Sequence, residues 1–195
     1  MAAKSSLRNM VLSLSLVCFV CAAVLGITHE FTLEPIAQAS QKAVQESVSK
    51  VLPEGGTLSE VVKTEFGGTE FEYYVSSCDT AVLAYAVKSR AIGFGGPLEI
   101  MVGVLPDGTV YNTSVLSHSE TPGLGAKCTS DPVFLANWDM LSRQEHGKKL
   151  EIIKVTKDGG DVDAITASTI TSRAYALAVS NAVDFVKYLG GQGNE

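Results

Sequence analysis

The run from Met10 to Ile27 limits every other choice this chain can make. Its 18 residues are apolar apart from Ser13 and Ser15, and Cys18, Cys21 and Gly26 are tolerated in lipid. As a helix it rises about 27 Å, close to the hydrocarbon thickness of a bilayer. The core is long for a cleaved signal peptide, and no clean small-x-small site follows it. Val17 and Val20 stand before the two cysteines where a lipoprotein signal takes a small residue. The expectation is therefore an uncleaved anchor. Lys4 and Arg8 precede the run, whereas His29, Glu30 and Glu34 follow it. The positive-inside rule then gives a cytoplasmic N-terminus at residues 1–9, a transmembrane helix at 10–28, and everything after Thr28 outside the cytoplasm.

The rest of the 195 residues is enough for one globular domain. Of 15 basic residues, Lys4 and Arg8 lie ahead of the anchor, while all 21 acidic ones lie beyond it. That outer balance is acidic and repels nucleic acid. Cys18-x-x-Cys21 sits inside the apolar run without further ligands, which reads as packed or lipid-facing thiols. Cys78 and Cys128 fall in the outer part and could pair in an oxidising compartment, yet two cysteines make no framework and nothing in their spacing argues for pairing. No paired Cys/His spacing suits a metal.

Ile36, Ala39, Ala43, Val44, Val48 and Val51 recur at helical steps, so residues 29–57 are expected to form a helical linker with a helix over Pro35–Leu52. From Leu58 the period changes to two. Expected strands are Val61–Phe66, Phe71–Ser77, Ala81–Lys88, Leu98–Leu105 and Val110–Leu116. Gly67-Gly68, Cys78-Asp79 and Pro106-Asp107-Gly108-Thr109 are expected turns. Asp131–Leu141 reads as a helix with Val133, Phe134, Trp138 and Leu141 inward, and Trp138 as core. Leu150–Val155 reads as a further strand. Ala174, Ala178, Ala182, Phe185 and Leu189 line one face of a last helix that Gly190-Gly191 should stop. The fold class is α+β: a mostly antiparallel sheet with packed helices, preceded by one N-terminal transmembrane helix, with the outer domain at 58–195.

Two stretches carry chemistry. Asp163 to Ser172 is rich in hydroxyls, on Thr166, Ser168, Thr169, Thr171 and Ser172, and opens the last helix. Such a turn suits an anion, because free N–H groups and the positive dipole end face it. An ordinary N-cap is the plainer reading. Ser117 to Lys127 follows a strand and has Pro122 to fix φ, with Gly123 and Gly125 to let backbone approach a planar ligand. Glu120 and Thr121 offer hydrogen bonds there, and Leu124 offers an apolar surface. A plain surface loop is the alternative. His118 has no evident Ser or Cys partner, so no nucleophile and base are in sight, and no residue is assigned as catalytic.

Together these stretches resemble the FMN-binding subunits of the Rnf and Na⁺-translocating quinone reductase complexes. His118-x-Glu120-Thr121-Pro122-Gly123-Leu124-Gly125 is one hallmark of that family and is intact. The flavin-attachment motif is the other, and six residues on from its Asp163 lies Thr169. Ala167 and Ser168 replace the motif's Gly and Ala, and an alanine makes a positive φ more costly. Lys157-Asp158-Gly159-Gly160 and Gly93-Phe94-Gly95-Gly96-Pro97 also fit.

The resemblance implies FMN as cofactor, held by a phosphoester to Thr169. Thr166, Ser168, Thr171 and Lys157 would serve the remaining phosphate oxygens, and Glu120, Thr121, Gly123, Leu124 and Gly125 the ring. Within the family the likeness is strongest to the G subunit of the Rnf ferredoxin:NAD oxidoreductase, with the C subunit of the quinone reductase as the alternative. The implied role is electron carriage within a membrane ion-pumping complex, not catalysis alone. The implied partners are the other proteins of the complex and a flavin transferase. The implied place is the bacterial inner membrane, single-pass, with a periplasmic domain. An anchored binding module without flavin and a free-standing periplasmic flavoprotein reductase are the readings from other classes.

Overall fold

The computed structural model describes residues 7–78 and 81–192. Helix α1 spans Leu7–Val51 with Pro35 inside it, and residues 1–42 and 43–195 form two compact units. Among the described residues α1 is the one helix long and apolar enough to cross a membrane. Its apolar side chains, Phe19 and Leu25 among them, are exposed in the chain. Residues 29–34, ahead of the expected helix start at Pro35, are helical too. Pro35 removes one N–H from that ladder without ending it.

The second unit is built on a six-stranded sheet: β1 (Thr57–Leu58), β2 (Val62–Phe66), β3 (Thr69–Cys78), β4 (Ala81–Ile92), β5 (Pro97–Val104) and β6 (Val110–His118). The order is β1-β3-β4-β5-β6, with β2 also on β3, and every pairing is antiparallel. Short connections make this pattern, since only antiparallel neighbours can be joined by tight turns. Gly67 and Gly68, at φ 59° and 76°, close the β2–β3 hairpin. Both have the positive φ that a two-residue primed turn needs. Gly108 serves the β5–β6 turn, where its N–H donates to Leu105 O and Asp107 accepts from Thr109 N–H. Of the Cys78-Asp79 turn, Asp79 lies outside the described residues, as does Lys4.

Helix α4 (Thr169–Gln192) packs on one face of the sheet. Ala174, Ala178, Ala182 and Phe185 meet Val87, Ile100, Val102 and Val104 in the main core. Each fully buried side chain of Val or Phe size contributes roughly 1.5–3 kcal/mol. On the other face, Val48 and Val51 from the end of α1 cover Ala86 and Met101. That end comes so close that a Cβ on Gly103 would lie 1.7 Å from Val51 O. Strand β5 is consequently buried on both faces, which is why its sequence is an apolar run without alternation. Ser89 Oγ ties the sheet to α4 by donating to Ala178 O at 2.7 Å, and Thr113 Oγ1 lies 2.8 Å from the Tyr175 hydroxyl.

Four expectations need correction. The helix over 131–141 is two helices, α2 (Pro132–Ala136) and α3 (Met140–Glu145). Asp131 and Asp139 each cap one by accepting from backbone N–H groups, so a second start is written into the middle of the segment. Phe134 and Trp138 are buried, as expected, but Val133 and Leu141 are 63% and 57% exposed. Residues 150–155 form no strand. The Asp161 carboxylate accepts from the N–H groups of Glu151 and Ile152, taking donors that a ladder would use, and only an isolated bridge links Val155 to Val162. Finally, α4 runs through Gly190-Gly191 to Gln192.

Candidate functional site

The loop after β6 and the turn before α4 meet. Glu120, only 6% exposed, accepts from the Thr171 hydroxyl at 2.8 Å, and Thr171 is itself buried. The other Glu120 oxygen takes the Gly95 N–H at 3.4 Å. The Glu120 N–H donates to His118 Nδ1 at 3.2 Å, which gives this histidine a positioning role. One carboxylate thus joins three segments: the β4–β5 hairpin, the 117–127 loop and α4. Thr121 O accepts from Leu124 and Ala126 N–H groups and folds the loop into the short helical turn Gly125–Thr129.

The two loop glycines serve different ends. Gly123 has φ 76° and open space where a Cβ would stand. Gly125 is buried, and a Cβ there would lie 2.3 Å from Glu120 Oε2 and 2.7 Å from Thr171 Oγ1. Its lack of a side chain makes room for the Glu120–Thr171 contact.

The hydroxyl stretch is a turn held from behind. Ser168 N–H donates to Ile165 O, and Ser172 Oγ accepts from Ile165 N–H while donating to Ser168 O. This clamp holds Ala167 at φ 61°, the only positive φ on a non-glycine residue among those described. Alanine stands there in the backbone conformation that glycine adopts freely. Ser168, one residue before the helix, does not cap it: its Oγ is buried without a hydrogen-bond partner. A buried hydroxyl left this way costs free energy unless something outside the chain completes it.

Lys157 Nζ stands 3.4 Å from Thr169 Oγ1. It is placed by a bidentate pair in which Arg173 Nε and Nη2 each donate to Asp158 at 2.7 Å, stapling the turn of Lys157 to the first turn of α4. The Arg173 hydrogen bond also holds the Asp158 carboxyl below its ordinary range. Asp163 takes another part: its carboxylate pairs with Lys148, and its backbone bonds to Asn137.

Between these pieces lies a cleft of about 340 Å³. Glu120, Thr121, Leu124 and Gly125 form one wall, and Ala167, Ser168, Thr169, Ile170 and Thr171 the other, with Phe94 across the mouth. Thr166 is exposed, and neither it nor Gly123 nor Lys157 forms part of the wall. Phe94, Ile170 and the Asp158–Arg173 staple were not singled out from sequence as site residues. The glycines on both sides of Phe94 were the one visible sign. Among the described residues no cluster of His, Cys, Asp or Glu could hold a metal.

The cleft combines hydroxyls, with a lysine beside Thr169, and apolar surface from Leu124, Ile170 and Phe94. This suits a ligand with an anionic group and a flat apolar body. Residues 93–184, which contain all of these pieces, match the FMN-binding domain family. The G subunit of the proton-translocating ferredoxin:NAD(+) oxidoreductase complex of Clostridium ljungdahlii is 30% identical over 184 residues, covering 92% of this chain and 92% of that protein. The G subunit of the ion-translocating oxidoreductase complex of Vibrio atlanticus is 34% identical over 186 residues, covering 89% and 88%. The crystal structure of the C subunit of Na(+)-translocating NADH-quinone reductase from Parabacteroides distasonis superposes with a TM-score of 0.50 at 21% identity, over 80% of this chain and 96% of that one, a likeness of fold. The chain belongs to the family of G subunits of ion-translocating oxidoreductase complexes and carries an FMN-binding domain.

Proposed function

We propose that this chain is the electron-carrying flavoprotein of a membrane-bound ferredoxin:NAD oxidoreductase complex, with FMN joined through a phosphoester to Thr169. The observation that carries the attachment is the unpartnered buried Ser168 hydroxyl beside Thr169 and Lys157. In an ester, Thr169 Oγ1 would bear the phosphate. Lys157 would balance its charge, and Ser168 would donate the hydrogen bond it lacks within the chain. The start of α4 supplies free N–H groups and the positive end of the helix dipole. Thr171 is committed to Glu120 and acts by holding the walls together. Thr166 faces solvent and is a contact for the flavin transferase that would form the ester.

The flavin, when bound, supplies one- and two-electron transfer. The protein binds it, orients it and sets its surroundings. Helix α1 anchors the protein in a single pass, with Lys4 and Arg8 on the cytoplasmic side and residues 43–195 in the periplasm. A covalent bond would keep the cofactor where no pool of free FMN replaces it. The other proteins of the complex would be its partners.

The test is co-expression of the full chain with a flavin transferase, followed by denaturing electrophoresis with in-gel flavin fluorescence and peptide mass mapping. Wild type should give a fluorescent band, Thr169→Val none, and Ser168→Ala and Thr166→Val reduced bands with the mass still on Thr169. A band that survives Thr169→Val would sink the assignment of the acceptor.

A further inference from the structure

Phe94 stands apart from the other phenylalanines of the 43–195 unit. Its side chain is 69% exposed at the tip of the β4–β5 hairpin, and no ring contact engages it among the described residues. Phe66, Phe71, Phe134 and Phe185 all pack against other rings. A single exposed phenylalanine is ordinary on a protein surface. This one, however, sits on a backbone that is pressed flat. A Cβ on Gly93 would lie 2.0 Å from Glu120 Oε1, and one on Gly95 would lie 2.0 Å from Ser119 O. Gly93 N–H donates to Gly96 O, closing the tip, and Gly95 N–H donates to Glu120. Glycines therefore flank Phe94 because the hairpin is seated directly on the loop that walls the cleft. Its ring is carried on a fixed base, at the mouth of that cleft, with exposed Leu124 and Ile170 on the walls.

We propose that Phe94 is the aromatic wall against which the flavin ring packs, held at the mouth of the cleft by the Glu120 clip; this rests on the attachment reading above. Offset stacking on a flat ring would bury the exposed face of Phe94, adding an aromatic contact to the hydrophobic one. The Glu120 carboxylate would then set two things at once: the turn that carries Thr169, through Thr171, and the hairpin that carries Phe94, through Gly95. Anchored end and stacking surface would be fixed in register by one side chain.

The test uses full-length, flavin-bearing protein in detergent, with covalent flavin first confirmed by intact mass. Phe94→Trp places an indole, which quenches an excited flavin by electron transfer on contact, where the phenyl ring stands. Leu58→Trp, on the edge strand β1 and outside the cleft wall, is the control. The flavin fluorescence lifetime should fall several-fold in Phe94→Trp and stay at the wild-type value in Leu58→Trp. Phe94→Ala should raise iodide quenching of the flavin several-fold by uncovering one face. If Phe94→Trp matches the control and Phe94→Ala leaves iodide quenching unchanged, the inference fails, and the exposed ring is a contact for another protein. Wild type without covalent flavin sinks the attachment reading and this inference with it; covalent flavin with unchanged signals sinks this inference alone.

Discussion

The Glu120 carboxylate and the Thr171 hydroxyl, 51 residues apart in sequence, meet at 2.8 Å in a buried hydrogen bond that joins the two halves of the site. That contact links the 117–127 loop to the first turn of α4. Replacing Glu120 by Ala leaves the Thr171 hydroxyl buried without its acceptor, a loss of roughly 1–3 kcal/mol. The expected outcome is a lower midpoint in urea unfolding, with weakened flavin attachment. An unchanged midpoint would mean that water replaces the carboxylate.

Gly125 and Gly123 should respond differently to the same change. Gly125→Ala drives a methyl group into Glu120 and Thr171, and overpacking of this kind costs about 1–3 kcal/mol. Gly123→Ala meets open space and bears only the penalty of its positive φ, about 1–2 kcal/mol. The discriminating readout is the flavin: Gly125→Ala should alter its absorption bands, and Gly123→Ala should leave them closer to wild type.

Ala167 holds a conformation suited to glycine. Ala167→Gly relieves a strain of about 1–2 kcal/mol, partly offset by the extra freedom of glycine in the unfolded chain. The expected net effect is a small gain in stability, with covalent flavin retained. A loss of stability on thermal unfolding would show that the turn is set by something other than backbone strain.

Cys128 supplies a pH dependence. Burial, with Glu120 nearby, pushes its thiol from 9.0 up to about 11. The folded state thus prefers the neutral thiol. Its contribution is complete below pH 9 and is lost as pH rises toward 11, at up to about 1.4 kcal/mol per pH unit. Burial also raises the Tyr175 hydroxyl, which extends the fall above pH 10. Cys128→Ala should flatten the lower part of that fall in denaturant titrations. In native protein at pH 8, exposed Cys78 should react with a thiol reagent while Cys128 reacts only on unfolding.

Topology has its own test. An alkaline phosphatase fused after Glu195 should be active, since that enzyme needs the oxidising periplasm. Activity of a cytoplasmic reporter at the same place would reverse the orientation inferred from Lys4 and Arg8.

The long apolar helix, the antiparallel sheet and the buried face of α4 were legible because each depends on composition or periodicity within a short stretch. An 18-residue apolar run, alternation in β2 and β4, and Ala174-Ala178-Ala182 at helical steps report their own environments. Glu120, Leu124, Ser168 and Thr169 are named as flavin-site residues only through the resemblance to the family's two motifs. Their physical parts are not legible in those motifs. Whether Thr171 serves a ligand or Glu120, whether Gly125 admits a ligand or a carboxylate, and whether Ser168 caps its helix depend on atoms brought together from distant positions. The same holds where the sequence pattern misled: Asp161 reaches back to take the N–H groups of Glu151 and Ile152, so an apolar segment of strand-like composition forms no strand. Local pattern marks the segments that can be regular and the faces that can be buried. Only the tertiary structure decides which polar atom finds a partner, because that partner is chosen by distance in space.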